Sequence, residues 1–252
     1  MRIDLNCDVG ELPEALADGT QEAVLRQVTS ANIACGGHAG DPRMMRATIE
    51  QALLCGTAIG AHPGYEDRAN FGRIALALSS EEIAATVYRQ IVALAEIAER
   101  CGARIGHVKP HGALYNQAAR DRGIAGAIAE GVARWRRDVV LVGLAGSVML
   151  EEFRAAGFAV AAEGFADRRY EADGTLRSRK FRDALLHEPT EAAAQALRIA
   201  KEGSVVAANG AVIALKADTI CIHGDTPGAA QIAAAVRRAL EEAGIAVQAL
   251  GG

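Results

Sequence analysis

The 252-residue chain is 50% hydrophobic and 23% charged with a net charge of -4, which supplies a sizeable core and gives no sign of disorder. It has no basic field for nucleic acid or an anionic membrane, and 4% aromatic residues leave few platforms for stacking bases. No signal-peptide core follows Met1-Arg2-Ile3-Asp4 and no apolar run nears the ~18 residues of a membrane span, so a soluble cytoplasmic protein without nucleic-acid or membrane partners is expected.

In chain order, a strand from Ile3 to Asp8 precedes a helix from Glu14 to Val28. A second strand, Asn32 to Gly37, runs past His38 into Asp41-Pro42, an N-cap with proline at the first helical position, and that helix stops before Gly56. The strand Ala58 to Ala61 is closed by His62, and the loop from Tyr65 to Leu78 carries Asp67, Arg68 and Arg73. Ser79 and Glu82 form a capping box for a helix with the stripe Ile83, Val87, Ile91, Leu94 and Ala98, closed by Gly102. In the next strand, from Ile105, a period of two puts His107, Lys109 and His111 on one face, and Pro110 ends the ladder. Burying such groups without partners costs on the order of a few kcal/mol each, so this stretch reads as a site.

Helices are expected from Ala113 to Ala119 and Ile124 to Trp135, then a doubly buried strand within Asp138 to Leu144 and a helix from Ser147 to Ala156. The strand Phe158 to Ala162 is closed by Glu163, and a basic excursion follows with Arg177, Arg179, Lys180 and Arg182: a solvated loop in the ordinary case, a phosphate-binding lid in the alternative. Thr190 is read as the cap of a helix reaching Lys201. Asn209-Gly210, between Val205-Val206 and Val212-Ile213, signals a type I′ hairpin near 204–215. The strand Thr219 to Ile222 is closed by His223, Thr226-Pro227 reads as another cap, and the last helix ends at Gly244 before an apolar tail, Ile245 to Leu250.

Seven or eight mostly parallel strands, each followed by a helix and undivided by any linker, predict a single TIM-like (β/α)-barrel domain over 1–252, regular or distorted, with one antiparallel hairpin. An open doubly wound sheet is the alternative, against which Asp8-Val9-Gly10-Glu11 is no dinucleotide fingerprint. Five of the six histidines, all but His187, sit in or just after strand ends, the edge where parallel α/β folds bind ligands. The five cysteines, Cys7, Cys35, Cys55, Cys101 and Cys221, lack a C-x-x-C pair and are read as reduced structural thiols.

Six blocks carry a resemblance: Asp4-Leu5-Asn6-Cys7-Asp8-Val9-Gly10-Glu11, Asn32 to Asp41, Gly60-Ala61-His62-Pro63-Gly64-Tyr65, His107 to Asn116, Glu163 to Arg168, and His223-Gly224-Asp225-Thr226-Pro227. Together they resemble the LamB/YcsF family along the whole chain. That resemblance implies a barrel like those of the glycoside hydrolase and deacetylase group. It also implies ATP-dependent opening of the lactam 5-oxo-L-proline to L-glutamate, with ATP going to ADP and phosphate, in a 5-oxoprolinase complex with subunits B and C. Glu66, Ala69-Asn70, Ile74 and Arg182-Asp183 depart from the family pattern, all in loops.

For such a reaction, Lys109 is expected to neutralise the carbonyl oxygen or a phosphate, His111 to act as general base and Asp8 to orient an imidazole or a water. Asn6 and Asn32 would bind the lactam's amide edge and Arg73 or Arg168 its carboxylate, with His38, His62, Glu163 and His223 completing the substrate rim. His111→Ala or Lys109→Met should then abolish turnover without unfolding the chain. Asp8, His38, His62, His111 and His223 are also the ligand types of a divalent zinc or manganese site, although no H-x-x-x-H spacing fixes two of them on one turn. No phosphate loop is present, so ATP as cosubstrate binds at an unmarked surface or comes from a partner subunit. Two other readings stay open: a stand-alone metal-dependent amide or acetyl-sugar hydrolase, and a small-acid binding or regulatory module. Self-association is left open as well.

Overall fold

The structure, a computed structural model, describes residues 1–250; the last two residues of the expected domain lie outside the described residues. Six parallel strands come first: β1 (Arg2–Val9), β2 (Ser30–Ala34), β3 (Ala58–His62), β4 (Ile105–Val108), β5 (Val140–Leu144) and β6 (Ala159–Phe165). A separate hairpin, β7 (Ser204–Val206) and β8 (Val212–Ala214), precedes β9 (Thr219–His223). Each of the first five pairs with the next, β6 pairs with β9, and β9 returns to β1, so seven parallel strands close a TIM-like barrel. The apolar tail adds β10 (Ala246–Val247), an unexpected short strand alongside Arg2 and Ile3.

The helices follow their sequence signals where these are local. Asp41 caps the helix Pro42–Cys55 by accepting from the backbone of Arg43 and Met44, and Ser79 and Glu82 form the capping box of Ser80–Arg100. Other expectations are corrected. Glu14 to Val28 is two short helices, Pro13–Ala17 and Thr20–Leu25, because Gly19 between them takes a φ of 83°. Thr190 lies inside the helix Pro189–Glu202 rather than capping it. Thr226 caps nothing: its hydroxyl donates to Asp167, and the helix Ala229–Glu242 starts after Gly228. In the hairpin only Gly210 has a positive φ, at 86°, and Ala207 pairs with Ala211, so the loop has three residues instead of the two of a type I′ turn.

TIM-barrel interiors are ordinarily layered with branched apolar side chains. This one is filled with polar groups that satisfy one another, because alternate residues of β1 and β9 point inward. At the bottom, Thr29, Ser30 and Thr219 hydroxyls all donate to Asp4, at 2.5–2.7 Å. One layer up, Asn6 donates to Thr219 (2.7 Å) and Glu163 (3.1 Å) and accepts from Asn32 (2.7 Å). The His107 ring bonds Asn32 at 2.9 Å, and burial lowers its pKa to about 4. His107 fits because its strand neighbour is Gly60, where an added Cβ would fall 2.1 Å from the ring nitrogen. Register then sets the top layer: Asp8 lies level with Asn32 on one side and His223 on the other.

Candidate active site

Above that polar column the strand ends open into a cavity of about 610 Å³, lined among others by Asp8, His62, Lys109, His111, Arg168 and His223. Residues far apart in the chain thus share one site because the barrel closes.

Lys109 forms the floor. Its ammonium lies 2.9 Å from Asp8, 2.8 Å from Glu163 and 3.3 Å from the Asn6 oxygen, all buried. Burial alone would lower its pKa, but the two carboxylates outweigh that and hold it well above the usual lysine range. Burial likewise works against Asp8, yet His62 and Lys109 keep its carboxyl well below its ordinary value. Glu163 is anchored from its other side by the Tyr115 hydroxyl at 2.7 Å. Asn6, Asn32 and Glu163 are therefore spent on Lys109 and on each other beneath the floor, not along the wall where substrate-binding roles were expected.

Beside the floor, three imidazoles gather around Glu11. His38 lies 2.9 Å and His111 3.3 Å from the Glu11 carboxylate, and His62 3.8 Å. His38 and His111 stack in parallel, 3.5 Å apart, with His62 edge-on to both. His62 Nδ1 bonds the Lys109 carbonyl (2.7 Å) and His111 Nε2 the Phe71 carbonyl (2.9 Å); carbonyls only accept, so both nitrogens carry protons. The remaining nitrogens, His62 Nε2 and His111 Nδ1, face each other at 2.9 Å. With both nitrogens of His111 engaged, the imidazole expected to be the general base has none free. His38 sits behind His111 and does not line the cavity.

Across the cavity stands a second arrangement. His223 Nδ1 donates to Asp167 at 3.0 Å, and its Nε2 has no hydrogen-bond partner among the described residues. Burial would raise the Asp167 carboxyl, but the charge and hydrogen bonds of His223 bring it down to about 2. One polar atom each of Asp8, Cys221 and His223 lie within 4.8 Å of one another, so His223 and Asp8 face the same small volume. Arg168, 5% exposed, donates to the Arg177 carbonyl, while among the described residues its buried Nε has no partner and no carboxylate pairs with it. Burial, followed by the charge of Arg179, lowers its pKa to about 10. Arg73, the other expected carboxylate ligand, is held by Asp225 and stacks over Phe71.

The family model described as LamB/YcsF family matches residues 3–252. The chain belongs to the LamB/YcsF family. It is 53% identical over 248 residues to the 5-oxoprolinase A subunit of Chloroflexus aggregans, covering 98% of each chain. It superposes with a TM-score of 0.91 on the lactam utilization protein of Thermus thermophilus, at 45% identity over 99% of this chain and 100% of that one. A family 4 carbohydrate esterase from Streptomyces lividans shares the fold alone, with a TM-score of 0.55 and 10% identity over 99% of this chain and 93% of that one.

In this LamB/YcsF barrel two central residues escaped the sequence reading, Glu11 and Asp167. Both follow strand ends, where alternation no longer tells which way a side chain points, and both lie inside the blocks that carry the family resemblance. The loop departures lie off the site's floor: Glu66 pairs with Arg89, and Asp183 with Arg177. Arg177, Arg179 and Lys180 all line the cavity, and Arg177 is also tied to Glu171 and Asp183. Burial raises the thiols of Cys7 and Cys221 well above their ordinary value and that of Cys35 to about 12, and all five cysteines are free, as reduced structural thiols should be. Among the described residues no helix is long and apolar enough to cross a membrane.

Proposed function

We propose that this chain is the lactam-binding subunit of an ATP-dependent 5-oxoprolinase, acting with partner subunits B and C to convert 5-oxo-L-proline to L-glutamate. The name carried by its relatives supplies the reaction. The observation that carries the reading is one cavity holding a buried guanidinium without a carboxylate, an Asp167–His223 pair with an outward nitrogen, and a buried lysine between two carboxylates.

Each group has a task in that chemistry. Arg168 binds the substrate carboxylate, which supplies the direct ion-pair partner that no described carboxylate gives it. Asp8 orients a water toward the lactam carbon and His223 removes its proton, the resulting imidazolium being held by Asp167. Lys109 keeps Asp8 ionised and places positive charge beneath the reacting carbonyl. ATP transfers its terminal phosphoryl group to the lactam oxygen, releasing ADP, at a mouth edged by Arg73, Arg179 and Lys180. Water adds at the activated carbon, the C–N bond breaks with the proton from His223 going to nitrogen, and a second water hydrolyses the acyl phosphate to L-glutamate and phosphate. With no phosphate loop in the sequence, the nucleotide is held at an unmarked surface of this chain or on a partner subunit.

The test is glutamate release by the purified chain with subunits B and C, with and without ATP. Turnover should need both partners and ATP, and His223→Gln should lower kcat by about 10²–10⁴-fold with KM little changed. ATP-independent turnover by the isolated chain, or wild-type turnover in His223→Gln, would overturn the reading.

A further inference from the structure

We propose that Glu11, His38, His62 and His111 form a binding site for one divalent first-row transition-metal ion, with zinc the best match, at the wall of the cavity. The Glu11 oxygen and one nitrogen from each imidazole all lie within 4.8 Å of one another, and the closer pairs are 2.9–3.8 Å apart. Four N and O donors at zinc's bond lengths of ~2.0–2.2 Å stand about that far apart around a tetrahedral centre.

The backbone supports the same conclusion. A histidine that binds metal through one nitrogen ordinarily gives its other N–H to a carbonyl or carboxylate, which fixes the tautomer. His62 and His111 do this to the carbonyls of Lys109 and Phe71, and the lone pairs left over point at each other across 2.9 Å. Two neutral imidazoles so placed would repel, so the pair holds either a proton, for which Asp8 at 3.3 Å from His62 Nε2 is a counter-charge, or a metal ion. A shared proton would serve that one pair. A metal ion serves the carboxylate and both of these imidazoles, and His38, hydrogen-bonded to Glu11 at 2.9 Å and stacked on His111, joins it by a turn of its ring.

The loops are shaped to hold these rings. Gly72, at a φ of 62°, passes so close that an added Cβ would stand 2.8 Å from His38 and 3.0 Å from His111, and one on Gly64 would stand 3.0 Å from both. His223, a ligand candidate from sequence, belongs elsewhere, to Asp167, while Asp8 is held by Lys109 and Asn32 and borders the cluster at 3.3 Å from His62 Nε2. Glu11, His62 and His111 line the cavity, so an ion there could polarise a carbonyl or acidify a bound water. The proposal stands whether or not the lactam is the substrate.

The experiment titrates tag-free, chelator-dialysed protein with Zn²⁺ by calorimetry, and with Co²⁺ by visible absorption. One equivalent should bind with roughly micromolar or tighter Kd, and Co²⁺ should give the intense bands of a low-coordinate N/O site. Glu11→Gln and His38→Gln should each weaken binding by about tenfold or more, whereas His223→Gln should leave it unchanged. Circular dichroism reports folding, and Glu11→Gln, the same size as the wild type, carries the test if His38→Gln does not fold. No Zn²⁺ or Co²⁺ binding below millimolar, or binding untouched by Glu11→Gln, would overturn the proposal.

Discussion

Lys109→Met separates the geometry seen here from what a strand motif alone implies. Methionine keeps most of the aliphatic stem and removes the charge, leaving the Asp8 and Glu163 carboxylates buried without the cation that lies 2.9 and 2.8 Å from them. Removing one member of a buried ion pair costs about 3–5 kcal/mol, because the partner charge is stranded in low dielectric. Here two carboxylates are stranded, and Asn6 also loses a donor. For a chain of this length each kcal/mol moves Tm by about 2–4 °C, so the variant should melt roughly 6–20 °C below wild type. Urea unfolding of wild type, Lys109→Met, Glu163→Gln and the double variant gives the coupling: Glu163→Gln should recover at least ~1 kcal/mol in the Lys109→Met background. A loss under ~1 kcal/mol in Lys109→Met, or strict additivity in the double variant, would refute the buried triad.

Gly60→Ala places a methyl 2.1 Å from the His107 ring and should destabilise by at least about 1–3 kcal/mol, partly rescued by His107→Ala; calorimetric melting of both checks it. Asp167, at about 2 when folded against 3.8 in its unperturbed state, contributes about 2 kcal/mol that is complete above pH ~4 and lost as pH falls through 2. Urea midpoints at pH 5 and pH 2.5 should therefore diverge more for wild type than for Asp167→Asn. Arg168→Met should raise KM for the lactam by about 10–100-fold with a smaller effect on kcat, the worth of a charge-assisted pair.

Local signals in the chain were read well. The capping box of Ser79 and Glu82 and the Asp41-Pro42 start depend on atoms within a few residues of each other, and both stand in the structure. Where a turn depends on which residue takes a positive φ, the reading slipped, as at Gly19 and at Asn209-Gly210. The division of labour among histidines was not legible at all. His107 and His111 were expected on one strand face, yet β4 ends at Val108: His107 is sealed against Asn32, and His111, at the start of the next helix, is tied to the Phe71 carbonyl in a loop some forty positions away in sequence.

By itself, the amino-acid sequence determined the alternation of strands and helices and which strand ends carry polar side chains, because period and capping are properties of neighbouring residues. Only the closed barrel decided that Asp8, Lys109 and Glu163 form one buried triad, and that Glu11 and Asp167 each claim different histidines. Closing β9 onto β1 sets those partners, and the energy of a buried charge lies in its partners rather than in its own identity.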